Sequence, residues 1–445
     1  MVEVSGFPFT ALRFGKEGDL AAAPQDLVPP GTTDVIVLSH GWKNDRVDAD
    51  ALYAGILENV RLAAGDSLGA GSRTWAAVGV YWPAFWFRPD LSLLPGDGTD
   101  GDGQAAGLQS DDLPIEDLRA YAAELVEDFA DRDADGFIRL VVEARGGGGR
   151  ADAMMDHLRN LLTQGADADT DVREEHAELL AAPGRELHSS MRDGGTFSAA
   201  SVDDEARPSE PTNGAASFQH VKESFARLRS GGAAAVARLL NQATYYEMKT
   251  RAGRVGEGLA RELDARLPEG VRLHLVGHSF GGRVATSAAA SDELPSMESL
   301  SLLQAAFSHN GLGTGFGDGG RTVGRFRKVT EERRVAGPIL VTHTHRDSAV
   351  GFFYALASAA TGTTASSYGL ERLLGGPKDP HGGMGANGTQ SMLTDEAVAH
   401  VAGEMTTLVR GKVNNVLSDA IVADHNDVAN EGVGALVWQA VSATT

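Results

Sequence analysis

The pentapeptide Gly277-His278-Ser279-Phe280-Gly281 has the residue types and spacing that could do chemistry. An apolar run over 271–276 precedes it and an Ala-rich stretch follows at once. A serine between spaced glycines, at the junction of a strand and a helix, is the sequence mark of a nucleophile held on a sharp turn. The glycines leave room where a Cβ would clash. N–H groups at the start of the next helix favour negative charge developing beside the serine. The chemistry this permits is attack of the Ser279 hydroxyl on a carbonyl carbon, given a base to take its proton. Other chemistries find less support. The chain has no cysteine, which excludes thiol catalysis, disulfides and thiolate metal sites. No His-Glu-x-x-His or EF-hand spacing occurs, so neither a metal nor a cofactor is expected. Gly315 to Gly320 formally fits a dinucleotide-binding pattern, but no helix follows it to receive a phosphate.

Short β-branched runs flanking the motif supply the elements that must position it. Residues 34–39 and 75–81 read as buried parallel strands, with a helix over 49–64 between them. A long helix over 233–267 leads into the strand before Ser279. Further strands are expected at 300–307, 338–343 and 413–422, and a closing helix from Asn426 onward. Residues 9–14 read as an edge strand. Strands alternating with helices predict an α/β fold with a mostly parallel, doubly wound sheet. Regular alternation stops over 85–219, which is rich in Asp, Gly and Ala, with helices over 113–130 and 151–162. Core-type strands lie on both sides of it. The expectation is therefore one domain over 1–445 carrying an insertion at 85–219, with a mobile connector at 185–212.

Charge and hydropathy narrow the partners. Lys and Arg number 39 against 61 Asp and Glu, a net charge of −22. That argues against nucleic acid or an anionic membrane surface as the main target. No run of 18 apolar residues is present, so no stable membrane insertion is expected. The first six residues lack a basic and apolar leader, which makes a cytoplasmic protein the expectation. Composition fixes no oligomeric state.

The pattern resembles the α/β-hydrolase fold superfamily, in its serine esterase and lipase branch. The resemblance rests on the 277–281 motif, on His40-Gly41-Trp42 after a strand, and on serine, acid and histidine in that order, each just past a strand. It covers roughly 33–82 and 235–443. It implies a carboxylic ester hydrolase acting through an acyl-enzyme on Ser279. The acid it implies is Asp347, four residues beyond the strand ending at His343, with Asp292, Glu371 and Asp419 as rivals. Asp347 would also suit the start of a helix over 349–360. The base it implies is His425, between the last strand and the last helix, chosen from 13 histidines. His343 and His345 would line the site, His309 and His381 could border it, and His400 would be structural within a helix. The oxyanion donors implied are the backbone N–H groups of Phe280 and Trp42, with His40 and Gly41 shaping the loop. His40, Gly41, His278, Trp82, Phe307 and Met384 are the candidate substrate contacts, and the insertion is a candidate lid. The expected partner is a small-molecule or lipid ester. The alternatives are a lipase or phospholipase at a lipid interface, and a non-catalytic binding protein on a hydrolase fold.

Overall fold

The continuous apolar runs form the middle of a nine-stranded sheet. The computed structural model describes residues 2–42, 44–84, 114–129, 133–164, 182–192, 231–294, 296–347, 382–403 and 407–443. Its strands are β1 (Val2–Val4), β2 (Phe7–Arg13), β3 (Asp34–Ser39), β4 (Trp75–Tyr81), β5 (Arg272–His278), β6 (Ser299–Leu303), β7 (Thr314–Phe316), β8 (Thr322–Val323), β9 (Ile339–His343), β10 (Ala397–Val401) and β11 (Val413–Leu417). The large sheet runs β1-β2-β4-β3-β5-β6-β9-β11-β10, and β7 and β8 pair by themselves. All neighbours in the large sheet are parallel except β1 and β2. The fold is thus α/β, with a mostly parallel sheet and helices packed on it.

Every residue of β3 and β6 is buried, as strands covered on both faces require. On one face the helices Arg46–Ala64 and Glu431–Ser442 pack together. Tyr53, Leu57, Val60, Val433 and Val437 meet Phe9, Ile36, Leu38 and Val276 in one core. The helix Phe280–Ala290 packs against β3, β5 and β6. The helix Arg46–Ala64 begins at a reciprocal cap. Asp45 accepts from the Asp48 N–H at 2.9 Å, and Asp48 accepts from the Asp45 N–H at 3.2 Å. That cap satisfies N–H groups the helix start would leave open, and it fixes the loop leaving β3.

Three readings of the sequence are corrected. The second strand is not an edge, because β1 pairs with it antiparallel on its outer side. The last long run ends as a strand at Leu417 rather than 422, because the Ile421 and Val422 N–H groups turn back to the Ser418 carbonyl at 2.9 and 2.8 Å. His400 lies on the edge strand β10 and not in a helix; its Nε2 meets Asn414 Oδ1 at 3.0 Å.

By its contacts the chain divides into two units. The sheet unit comprises 1–86, 248–350 and 382–445, and the other comprises 87–247 and 351–381. In the second, helices Ile115–Phe129, Ala134–Ala144, Gly149–Gln164 and Gly184–Arg192 pack each on the next. Their amphipathic faces bury Leu118, Leu125, Phe137, Val141, Met154 and Leu158. The Tyr121 hydroxyl donates to Asn241 Oδ1 at 2.8 Å. The helix over 349–360 and most of the 185–212 connector lie outside the described residues.

Candidate active site

Ser279 stands between the end of β5 and the first residue of the helix Phe280–Ala290. Its φ is +56° and its ψ −124°, a conformation that side chains rarely adopt. The surroundings hold it there. Its N–H donates to the Leu303 carbonyl at 3.0 Å, and its carbonyl accepts from Gly282 and Ala306, each at 3.0 Å. A Cβ at Gly281 would collide with the Ser39 carbonyl, so the glycine lets the turn cross the end of β3. Strain held by such over-determination is typical of working sites.

His425 lies in the loop after β11. Its Nε2 is 2.9 Å from Ser279 Oγ and its Nδ1 is 2.9 Å from Asp347 Oδ2. A carboxylate only accepts, so Nδ1 carries the proton and Nε2 is left to accept from the serine hydroxyl. Asp347 follows β9, is 2 % exposed, and has its N–H bonded to the Thr344 carbonyl at 3.1 Å. Gly385 makes room for it, since a Cβ there would lie 2.6 Å from Asp347 Oδ2. The segment carrying Gly385 is pinned to the loop after β6 by Gly385 N–H to Ala305 O and Met384 N–H to Phe307 O, each 2.9 Å.

The rival acids sit elsewhere. Asp292 is exposed and pairs with Lys328 and Arg334. Asp424 and Asp427 serve their own loop: Asp424 accepts from the N–H groups of Asn426 and Asp427, and Asp427 from that of Ala423. Glu371 is outside the described residues. Asp419 lies just past β11 and takes three bonds from the residues leading to Asp347. Burial opposes its charge, but the bonds from His345 and Thr344 together outweigh that and hold its carboxyl below the usual range.

The His40-Gly41-Trp42 loop lies directly against the serine. A Cβ on Gly41 would stand 2.5 Å from Ser279 Cβ and 3.1 Å from its Oγ. The Trp42 and Phe280 rings meet edge to face at 6.1 Å. His40 is buried, stacks on Trp82 at 5.5 Å and accepts from the Trp82 N–H at 3.3 Å. Its Nδ1 donates to the Gly41 carbonyl at 2.9 Å, and its backbone N–H donates to the Tyr53 hydroxyl. Burial pushes its pKa down to about 4, so it is a neutral brace for the loop.

His278 turns inward. Its Nε2 donates to the His425 carbonyl at 2.9 Å, with the two rings 5.0 Å apart. Burial first, then the neighbouring His425, pushes its pKa to about 3, so it adds no charge beside His425. Trp82, Phe307 and Met384 are all buried, Phe307 edge-on to Phe326 at 5.3 Å. His343 is held neutral by burial, at about 4. His309 is buried and its N–H reaches the Gly382 carbonyl, while His381 is outside the described residues. Among the described residues no three His, Asp or Glu side chains gather as a metal would need, and no helix is long and apolar enough to cross a membrane.

The structure therefore brings together Ser279, His425, Asp347 and the 40–42 loop, as the order along the chain anticipates. Sequence reasoning treated His278 as a substrate contact and Asp419 only as a rival acid. Their hydrogen bonds to the loops of His425 and Asp347 span 147 and 74 to 75 residues, and no spacing signals them. In comparison with known proteins, the chain matches no family model, no curated protein and no solved structure.

Proposed function

We propose that the chain is a serine hydrolase of the α/β-hydrolase type that cleaves carboxylic esters through an acyl-enzyme on Ser279. The observation that carries this reading is the unbroken run from Ser279 Oγ to His425 to Asp347, with both contacts at 2.9 Å. As the ester carbonyl meets Ser279 Oγ, His425 Nε2 takes the hydroxyl proton and the C–O bond to the serine forms. The negative charge gathers on the carbonyl oxygen, where the Phe280 and Trp42 N–H groups would stabilise it. Asp347 keeps the His425 proton on Nδ1 and favours the imidazolium. His425 then returns the proton to the departing alkoxide, releasing the alcohol and leaving the acyl-serine. Water, deprotonated by His425, attacks that ester; the carboxylic acid leaves and Ser279 regains its proton. The segment 85–219 is the candidate lid.

Labelling by a fluorophosphonate and turnover of p-nitrophenyl esters test the reading. The wild type should label and turn over, and Ser279→Ala should lose labelling and about six orders of magnitude in kcat. A folded wild type that neither labels nor hydrolyses short- or long-chain esters would make the chain a binding protein on a hydrolase-like sheet. Activity that rises sharply at a lipid surface would narrow the substrate to lipid esters.

A further inference from the structure

Two carboxylate–imidazole pairs cross between the loops that follow β9 and β11. The loop after β9 gives Asp347 to His425 and His345 to Asp419. The loop after β11 gives the opposite member of each pair. The strands themselves are parallel neighbours, with His343 opposite Leu417, so both loops leave the sheet at the same level. Asp419 Oδ1 accepts from the Thr344 hydroxyl at 2.7 Å and from the His345 N–H at 2.9 Å; its Oδ2 accepts from His345 Nδ1 at 2.8 Å. Thr344 is fully buried, its hydroxyl also accepts from the Arg346 N–H at 3.2 Å, and its carbonyl receives the Asp347 N–H. The turn that aims Asp347 is thus built on Thr344, and Thr344 is held by Asp419.

We propose that Asp419, acting through Thr344 and His345, is a positioning residue that sets the acid loop against the base loop. This rests on the triad reading above. An aspartate that only shaped its own turn would bond locally, as Asp424 does to Asn426 and Asp427. Asp419 spends all three of its bonds on the other loop, 74 and 75 residues away in the chain. Shifting Asp347 relative to His425 changes the orientation of the base, not the substrate's binding surface. A displacement of about 1 Å in such an array costs about 100-fold in rate. The loss should therefore fall on kcat and leave KM alone.

The test is a pair of variants in two backgrounds, read by p-nitrophenyl ester kinetics. Asp419→Ala removes all three acceptors and should lower kcat by roughly 10- to 100-fold with KM within about twofold. Asp419→Asn keeps an oxygen for Thr344 and the His345 N–H, and its amide can donate to the other tautomer of His345. It should restore kcat to within about threefold of wild type. Because Asp419 acts through Asp347, Asp419→Ala should change kcat by less than about twofold when Asp347→Asn is already present. Effects that multiply in the double variant, or a folded Asp419→Ala with wild-type kcat, overturn the proposal. If Asp419→Ala does not fold, Thr344→Val and His345→Ala carry the same cycle, each removing part of the clasp. A wild type inert to fluorophosphonate would instead defeat the parent reading; an active wild type with an indifferent Asp419 defeats only this one.

Discussion

The sheet carries the same three residue types, hydrogen-bonded in the same order, at both of its ends. At the carboxyl end Ser279, His425 and Asp347 join at 2.9 and 2.9 Å. At the amino end Ser299, His274 and Asp34 join at 2.8 and 3.3 Å. Their surroundings differ. All three amino-end residues are 0 % exposed, and Asp34 is also held by Arg272 at 2.7 and 2.8 Å and by Arg73 and Thr33. Burial opposes the Asp34 charge, but Arg272, His274, Arg73 and Thr33 together hold its carboxyl far below the usual range. Ser299 is the first residue of β6, in regular parallel register with His274, and among the described residues it has no left-handed backbone turn, no helix start and no glycine loop against it. Ser279 has all three. A serine, a histidine and an aspartate in contact make a buried polar cluster; backbone strain, a helix N-terminus and an adjoining loop are what could make them reactive.

Changing the aspartate at each end breaks the comparison most sharply. On the proposed mechanism Asp347→Asn leaves the fold intact and lowers kcat by about 10⁴-fold, since it favours the wrong tautomer of His425. Steady-state kinetics beside a melting curve checks this; normal turnover would remove Asp347 from the mechanism. Asp34→Asn should do the reverse. It leaves Arg73 and Arg272 without their buried counter-charge and should cost about 3–5 kcal/mol of stability, read by denaturant melts. In the fraction still folded, kcat should stay within about twofold of wild type. Ser299→Ala should label with fluorophosphonate as wild type does.

Gly41→Ala probes what the amino end lacks. A methyl group 2.5 Å from Ser279 Cβ and 3.2 Å from the His278 carbonyl forces the 40–42 loop away from the serine. The proposed Trp42 N–H donor moves with it. The expected loss is about 100-fold in kcat, comparable to removing one oxyanion donor, with a smaller change in KM. Full activity in this variant would separate the 40–42 loop from the chemistry.

Much of this contrast was readable in the sequence, and the part that was not has a common cause. Asp34-Val35-Ile36-Val37-Leu38 and the 271–276 run announce buried parallel strands, since strands covered on both faces carry apolar residues continuously. The turn at Ser279 announces itself through its glycines. The edges were harder: β1 has three residues and β10 alternates weakly, with His400 in a stretch that also fits a helix. Asp419, His278 and Asp34 each act through partners brought near only by the closed sheet. Their residue types allow capping, substrate contact or ion pairing equally well, so only the partner decides.

Acid titration separates the buried imidazoles from Asp34 by window. His40, His278 and His343 have an ordinary pKa of 6.5 and are held at about 4, 3 and 4 by burial. His274, at the amino end, is also held below 6.5 by burial, against the pull of Asp34. A folded pKa below the unfolded one means the unfolded chain binds protons first, so each contributes stability that is present above 6.5 and lost as pH falls. Asp34 follows the same sign in a lower window: its contribution is full above the ordinary value of 3.8 and falls only below it. Melting temperature should therefore decline in two stages, one as the pH falls from about 6.5 to 4 and a second beneath about 3.8. Asp34→Asn should flatten the lower stage and keep the upper one, whereas His343→Leu should reduce the upper stage alone. A single stage in the wild type, or an upper stage unchanged by His343→Leu, would show that the buried imidazoles at the carboxyl end are not held neutral.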